Sequence, residues 1–280
     1  MAPPSGRVPL LAVALAMADS GFEVVAEIEP ATRPDLTRVR HQVGVLAPIA
    51  DRFLIPDNHL GRATVSSVAV AHEVTGMGVK AIACLNSRDR NRLGFRRDLL
   101  TAAAYGVDRF LCVYGDQPAS GSRSSDLNVA GMLDEVREFG GSETFAGHGP
   151  FSVGVTTRLS ALPTWKHQAD FLFVQASFDL EALLRWRDLL RFDGPVFAGV
   201  LVVASVGMAK TLRDATSQID LPASLLERLE TDPDAGVDVA CSLMDDVKAS
   251  GAFDGVHLVP VGRYRTVASC LENRGWSGRP

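Results

Sequence analysis

Short apolar runs alternate with amphipathic stretches along most of this chain, and that alternation sets the elements it predicts. Phe22 to Ile28 (FEVVAEI) reads as a buried strand, ending at Glu27, Glu29 and Pro30. Asp35 to Ile49 places Leu36, Val39, Val43, Leu46 and Ile49 at helical spacing. Arg52 to Pro56 predicts a second strand leading into Asp57-Asn58-His59, and Thr64 to Thr75 a helix capped by Thr64. The pattern is most regular between Val79 and Pro118. There an apolar run, Val79 to Leu85, turns polar at Asn86-Ser87-Arg88-Asp89-Arg90-Asn91. A helix follows with Leu93, Leu99, Leu100, Ala103 and Ala104 on one face, and Gly106 closes it. Phe110 to Tyr114 is the next strand, and Gly115-Asp116-Gln117-Pro118 ends it.

The second half repeats the theme less evenly. A Ser-rich loop, Ala119 to Ser125, precedes a helix over Asn128 to Phe139 and a strand over Phe151 to Thr156. A conspicuously short link leads to the strand Phe171 to Gln175 and the helix Leu180 to Leu190. Pro195 to Ala204 is Val-rich, as a strand buried on both faces must be. Helical segments at Met208 to Thr216, Ala223 to Glu230 and Val237 to Ala249 precede a strand, Phe253 to Val261, and a last helix, Thr266 to Asn273. Eight strands alternating with helices, with no long linker, predict an α/β fold: one (β/α)8 TIM barrel domain over residues 1–280. A doubly wound open sheet is the alternative. Leu10 to Asp19 predicts an extra N-terminal helix closing the barrel bottom. The same run, PLLAVALAMA, also has the apolar core of a secretory signal, but its basic lead-in is a single Arg7 and a strand follows at once.

Composition narrows the function classes. With 46% hydrophobic and 22% charged residues, the 280-residue chain can bury a sizeable core. A formal net charge of −5 argues against nucleic acid or a membrane surface as partner. No apolar run approaches the ~20 residues a membrane span needs. The 4 Cys form no C-x-x-C pair, which predicts free, buried thiols in a reducing, cytoplasmic compartment. The His spacing matches no metal motif, so no metal is expected. A homo-oligomer is left open.

Ligands of parallel α/β folds sit beyond the carboxyl ends of the strands. The residues there are Glu27, Asp57, Asn58, Asn86, Arg88, Asp89, Asp116, Thr156 and Gln175. Several have plainer readings. Glu29, Asp57 and Asp89 can cap helices, and Arg88 and Arg90 can stay solvated or pair locally with Asp89 and Asp98. Glu27 stands apart because it lies between Ala26 and Ile28 at the end of a buried strand. Alternation points it into the barrel mouth, where loss of water favours a protonated carboxyl, as a general acid needs. Gly115 lets the backbone before Asp116 pass close to a ligand. A buried Gln175 and a mouth-lining Asp116 suit a ring with donors and acceptors on one edge, as a pterin has.

Three pieces in order carry a resemblance: Ala26-Glu27-Ile28-Glu29-Pro30, then RDRNRLGF with DLL, AAAYGV and a strand ending GDQP, then Phe173-Val174-Gln175-Ala176-Ser177-Phe178-Asp179. Together they resemble the methylenetetrahydrofolate reductase family over most of the chain. The resemblance implies a cytoplasmic oxidoreductase of one-carbon metabolism that turns 5,10-methylenetetrahydrofolate into 5-methyltetrahydrofolate with NAD(P)H, usually through FAD. It implies Glu27 as proton donor, Asp116 as the carboxylate holding the pterin edge, and Gln175 as a folate contact. Asn86, Ser87, Tyr114, Gly115 and Thr156 are the expected cofactor contacts. This chain also departs from the family. Pro56 stands where a flavin-contacting Thr is usual, Cys84 where one branch has His, and Tyr114 where Arg or Thr precedes the Gly-Asp. Thr156 to Ala169 is about three helical turns short of the segment that grips FAD, leaving Lys166 and His167 as substitutes. FAD is therefore expected to bind weakly or not at all. A pterin-binding protein without redox chemistry, such as a methyl-transfer partner, folate carrier or inactive paralogue, is the alternative.

Overall fold

Eight parallel strands pair in chain order, and the last returns to the first, closing a barrel. They are β1 Glu23–Glu27, β2 Arg52–Ile55, β3 Lys80–Asn86, β4 Arg109–Val113, β5 Ser152–Thr157, β6 Phe171–Val174, β7 Val196–Leu201 and β8 Gly255–Val259. The computed structural model describes residues 21–148, 150–215 and 221–278, so the helix expected over Leu10 to Asp19 lies outside the described residues. Closure settles the choice between barrel and open sheet. Ala26 pairs with Phe53 on one side and Leu258 on the other, and no strand is left with a free edge.

Alternation along each strand sorts its side chains. Val25, Leu54, Ile82, Cys84, Leu111, Phe171, Phe173 and Phe197 fill the lumen. Their neighbours, such as Val24, Ala26, Phe53 and Ile55, pack outward in the core under the helices. Three lumen rings crowd β6 and β7, with Phe173 and Phe197 centroids 5.1 Å apart. The strands beside them compensate with glycine. A Cβ on Gly154 would overlap the Phe171 ring, and one on Gly255 would come within 2.9 Å of Phe197.

The described α-helices are α1 Thr37–Leu46, α2 Ser67–Gly76, α3 Arg92–Ala104, α4 Val129–Glu138, α5 Leu180–Leu189, α6 Val206–Ala215, α7 Ala223–Thr231, α8 Ala235–Ser250 and α9 Tyr264–Asn273. Two sequence expectations are corrected here. Thr64 does not cap α2, which starts after Ser66; Thr64 exchanges hydrogen bonds with Asn58 instead, at 3.1 and 3.2 Å. The buried face of α3 is Phe95, Leu99 and Ala102, while Leu93 and Leu100 face water. Asn91 sets that phase: its side chain accepts the Gly94 N–H at 2.8 Å and starts the helix at Arg92. Between β5 and β6 the chain forms only a 3-10 turn, Thr164–Gln168, where the other connections from β1 to β8 each include an α-helix.

Candidate functional site at the barrel mouth

Glu27 is the last residue of β1, and its inward phase is borne out by its neighbour. Its Oε2 lies 3.2 Å from Nε2 of His257 on β8, with 20% of the Glu27 side chain exposed. The pair does not meet hydrogen-bond geometry, so the short distance counts as charge proximity when the imidazole is protonated. The imidazole lies flat on Phe173, centroids 4.8 Å apart and planes 26° apart, so the lumen packing fixes it. Cys84 sits in the same lumen. Burial pushes its thiol well above the ordinary cysteine value, and the charges of Asp57 and Glu27 add to that.

A cavity of about 590 Å³ opens beside this pair. Phe173, His257 and Gly199 line it toward the lumen; Gln175, Thr156 and Lys166 line it toward the β5–β6 connection. Gln175 follows β6 directly, and its backbone N–H donates to the Thr157 carbonyl at 2.8 Å, which holds the residue at the mouth. Lys166 spans the short connection by donating from Nζ to the Thr156 carbonyl at 2.8 Å. His167 faces away, lining a separate cleft against Trp186 and Leu189 of α5. Of the two expected substitutes, only Lys166 reaches the mouth.

Other expected residues sit elsewhere. Asp116 does not line this cavity. It is exposed and accepts the Leu60 N–H at 2.7 Å, while Ala119 N–H donates to the Gly61 carbonyl at 2.9 Å, so the loops after β2 and β4 are strapped together. Gly115, at φ 90°, passes close to Asn86 rather than to open space: a Cβ there would lie 2.8 Å from the Asn86 Cβ. Asn86 is buried, and its amide donates to Asp57 at 2.7 Å and Asp89 at 2.9 Å while its oxygen accepts the Asp89 N–H at 3.0 Å. Ser87 is fully buried, its hydroxyl 3.4 Å from the Tyr114 carbonyl. Neither offers a free polar atom at the mouth in this arrangement.

Asp57 and Asp89 cap no helix. Asp57 accepts from the Asn86 N–H at 3.0 Å and forms an ion pair with Arg90, whose Nε also donates to Asp98 at 2.7 Å. Burial works against the Arg90 charge, but Asp57 and Asp98 outweigh it and raise its pKa. Asp89 accepts from the Asn58 amide at 2.9 Å. Glu29 pairs with Arg38 rather than capping α1. Tyr114 is exposed, with the Arg88 guanidinium 4.4 Å above its ring and its hydroxyl accepting from Arg123 at 2.6 Å. The guanidinium of Arg88, and then that of Arg123, lower its phenol pKa.

Residues 55–275 match the family model described as methylenetetrahydrofolate reductase. The chain belongs to that family. The matched span includes Asp116, Gln175 and His257, whereas Glu27 precedes it. No curated protein matches the sequence. Among solved structures, the chain is similar to an uncharacterized protein from Clostridium thermocellum that binds two copies of 5-methyl-5,6,7,8-tetrahydrofolic acid. That similarity has a TM-score of 0.61 at 13% identity, covering 92% of this chain and 96% of the other. Weaker likenesses are DmoA from Hyphomicrobium sulfonivorans (TM-score 0.47, 10% identity, 93% and 90% coverage) and a GH18 chitinase from Pseudoalteromonas aurantia (TM-score 0.45, 12% identity, 89% and 100% coverage).

His257 is the site residue that sequence reasoning missed. Its signal was present: in Gly255-Val256-His257-Leu258-Val259 the strand phase puts His257 on the same face as Gly255, whose missing Cβ faces the Phe197 ring. A lone His without a motif drew no attention. Arg158, which also lines the cavity, was missed for the same reason.

Proposed function

We propose that this member of the methylenetetrahydrofolate reductase family reduces 5,10-methylenetetrahydrofolate to 5-methyltetrahydrofolate with NAD(P)H. The observation that carries the reading is the Glu27–His257 pair, whose imidazole lines a cavity that also holds Gln175. Glu27 donates a proton to N10 of the imidazolidine ring, the bond from N10 to the methylene carbon breaks, and an iminium forms at N5. Hydride from C4 of the dihydronicotinamide then adds to the methylene carbon, completing the methyl group and leaving the oxidised nicotinamide. His257, when protonated, stabilises the carboxylate that Glu27 becomes, and its stacking on Phe173 keeps the two groups in register. Gln175 presents an amide to the pterin edge. We leave Asp116 out of the ring contacts, because it does not line the cavity and is held by the Leu60 N–H.

The residues present do not fit a tightly bound FAD. The connection after β5 is a 3-10 turn in place of a gripping helix, Pro56 is buried and offers neither hydroxyl nor N–H, and Tyr114 is engaged by Arg88 and Arg123. Each lost hydrogen-bond partner typically weakens binding by ~0.5–1.5 kcal/mol. Several such losses raise a dissociation constant by orders of magnitude, since each ~1.4 kcal/mol is tenfold. We therefore place the nicotinamide directly over the iminium carbon, with no step through flavin. Gel filtration followed by a visible spectrum tests this point: a preparation that retains stoichiometric FAD overturns it.

A second reading, a pterin-binding protein without redox chemistry, is favoured by one observation: the Clostridium thermocellum neighbour binds methyltetrahydrofolate. Folate binding without methyl formation, under every cofactor condition, decides for it.

A further inference from the structure

Lys166 and Arg158 are both at the rim of the mouth cavity, and neither forms an ion pair with an Asp or Glu among the described residues. Lys166 is also half-buried, with Nζ 5.4 Å from the Trp165 ring centroid and only the neutral Thr156 carbonyl as acceptor. Burial, and then the nearby charge of Arg158, lower its pKa below the ordinary lysine value. Two cations that line one cavity, one of them partly out of water, favour an anion there.

We propose that Lys166 and Arg158 form an oxyanion site at the outer end of the cavity, which takes the charged tail of the ligand whose ring reaches Glu27 and His257. This rests on the functional reading above, and deepens it by giving the ligand a direction: ring at the lumen, anionic oxygens at the β5–β6 connection. The short connection places Lys166 on the cavity, where its Nζ donates to the Thr156 carbonyl. The chemistry recognised is phosphate or carboxylate oxygen, from a nicotinamide nucleotide or from the glutamate of a folate.

Calorimetric titration of the full chain at low salt, with inorganic pyrophosphate and with p-aminobenzoylglutamate, tests the site apart from turnover and separates the two sources. The wild-type protein is expected to bind at least one probe. Lys166→Gln and Arg158→Gln should each weaken that binding ~10–100-fold, as expected for loss of a charge-assisted hydrogen bond. They should leave the binding of a tetrahydropterin lacking the tail within about threefold. Pyrophosphate alone assigns the nucleotide, and p-aminobenzoylglutamate alone the folate tail. No binding of either probe by the wild type, or equal binding by the variants, overturns the site. Binding that behaves as expected in a protein that never forms methyltetrahydrofolate overturns the reductase reading and leaves the site standing.

Discussion

Arg90 links the loop after β3 to the end of β2, and its removal should be among the most damaging single changes near the mouth. Its side chain is 13% exposed and that of Asp57 only 3%, so both charges of the pair are largely out of water. Arg90→Met keeps most of the aliphatic stem but removes the ion pair with Asp57, the 2.7 Å contact to Asp98 and the 3.0 Å donation to the Asn86 carbonyl. Asp57 is left buried with only the Asn86 donors at 2.7 and 3.0 Å. Breaking a buried pair from one side typically costs ~3–5 kcal/mol. At ~2 °C per kcal/mol for a chain of this size, the melting temperature should fall by roughly 6–10 °C. Urea unfolding followed by circular dichroism measures the loss, and Asp57→Asn with Arg90→Met should recover at least half of it because the orphaned charge is gone. An Arg90→Met protein within ~1 kcal/mol of wild type, or a double variant no better than the single, would refute the reasoning.

Three further outcomes follow from the same geometry. Glu27→Gln should lose ~10²–10⁴ in kcat, as removal of a general acid does, while folate affinity stays within about threefold in equilibrium titration. His257→Phe keeps a ring against Phe173 but no charge beside Glu27; kcat should fall about tenfold or more with folate affinity little changed, and the pH profile of kcat should change shape. Iodoacetamide at pH 8 should leave Cys84, Cys112 and Cys241 of the native protein unlabelled. All three are buried, burial pushes the Cys112 thiol up to about 12, and only the thiolate reacts; mass spectrometry should find the label on Cys270 alone.

The barrel was legible because each strand is a short, largely apolar run ended by polar loops, and because no connection is long enough to split the chain. The face of α3 was misread for a local reason: Leu93 and Leu100 look periodic, but the Asn91 cap sets a different phase. Thr64 was misread for a longer-range one, since its partner Asn58 lies across the loop that precedes α2. At the site, Glu27 followed from alternation along β1. Asp116 did not, because the Leu60 N–H that holds it is 56 residues away and nothing in GDQP announces that partner. The departure after β5 was visible as missing length. What replaced it, a 3-10 turn that aims Lys166 at the mouth and His167 away from it, required the fold.

Hydride transfer by the purified, flavin-stripped protein tests the central claim most directly. With 5,10-methylenetetrahydrofolate and NAD(P)H deuterated at C4 of the dihydronicotinamide, the product should be 5-methyltetrahydrofolate carrying deuterium in its methyl group, and added FAD should not be needed. Absence of methyltetrahydrofolate both with and without FAD would contradict the reductase assignment.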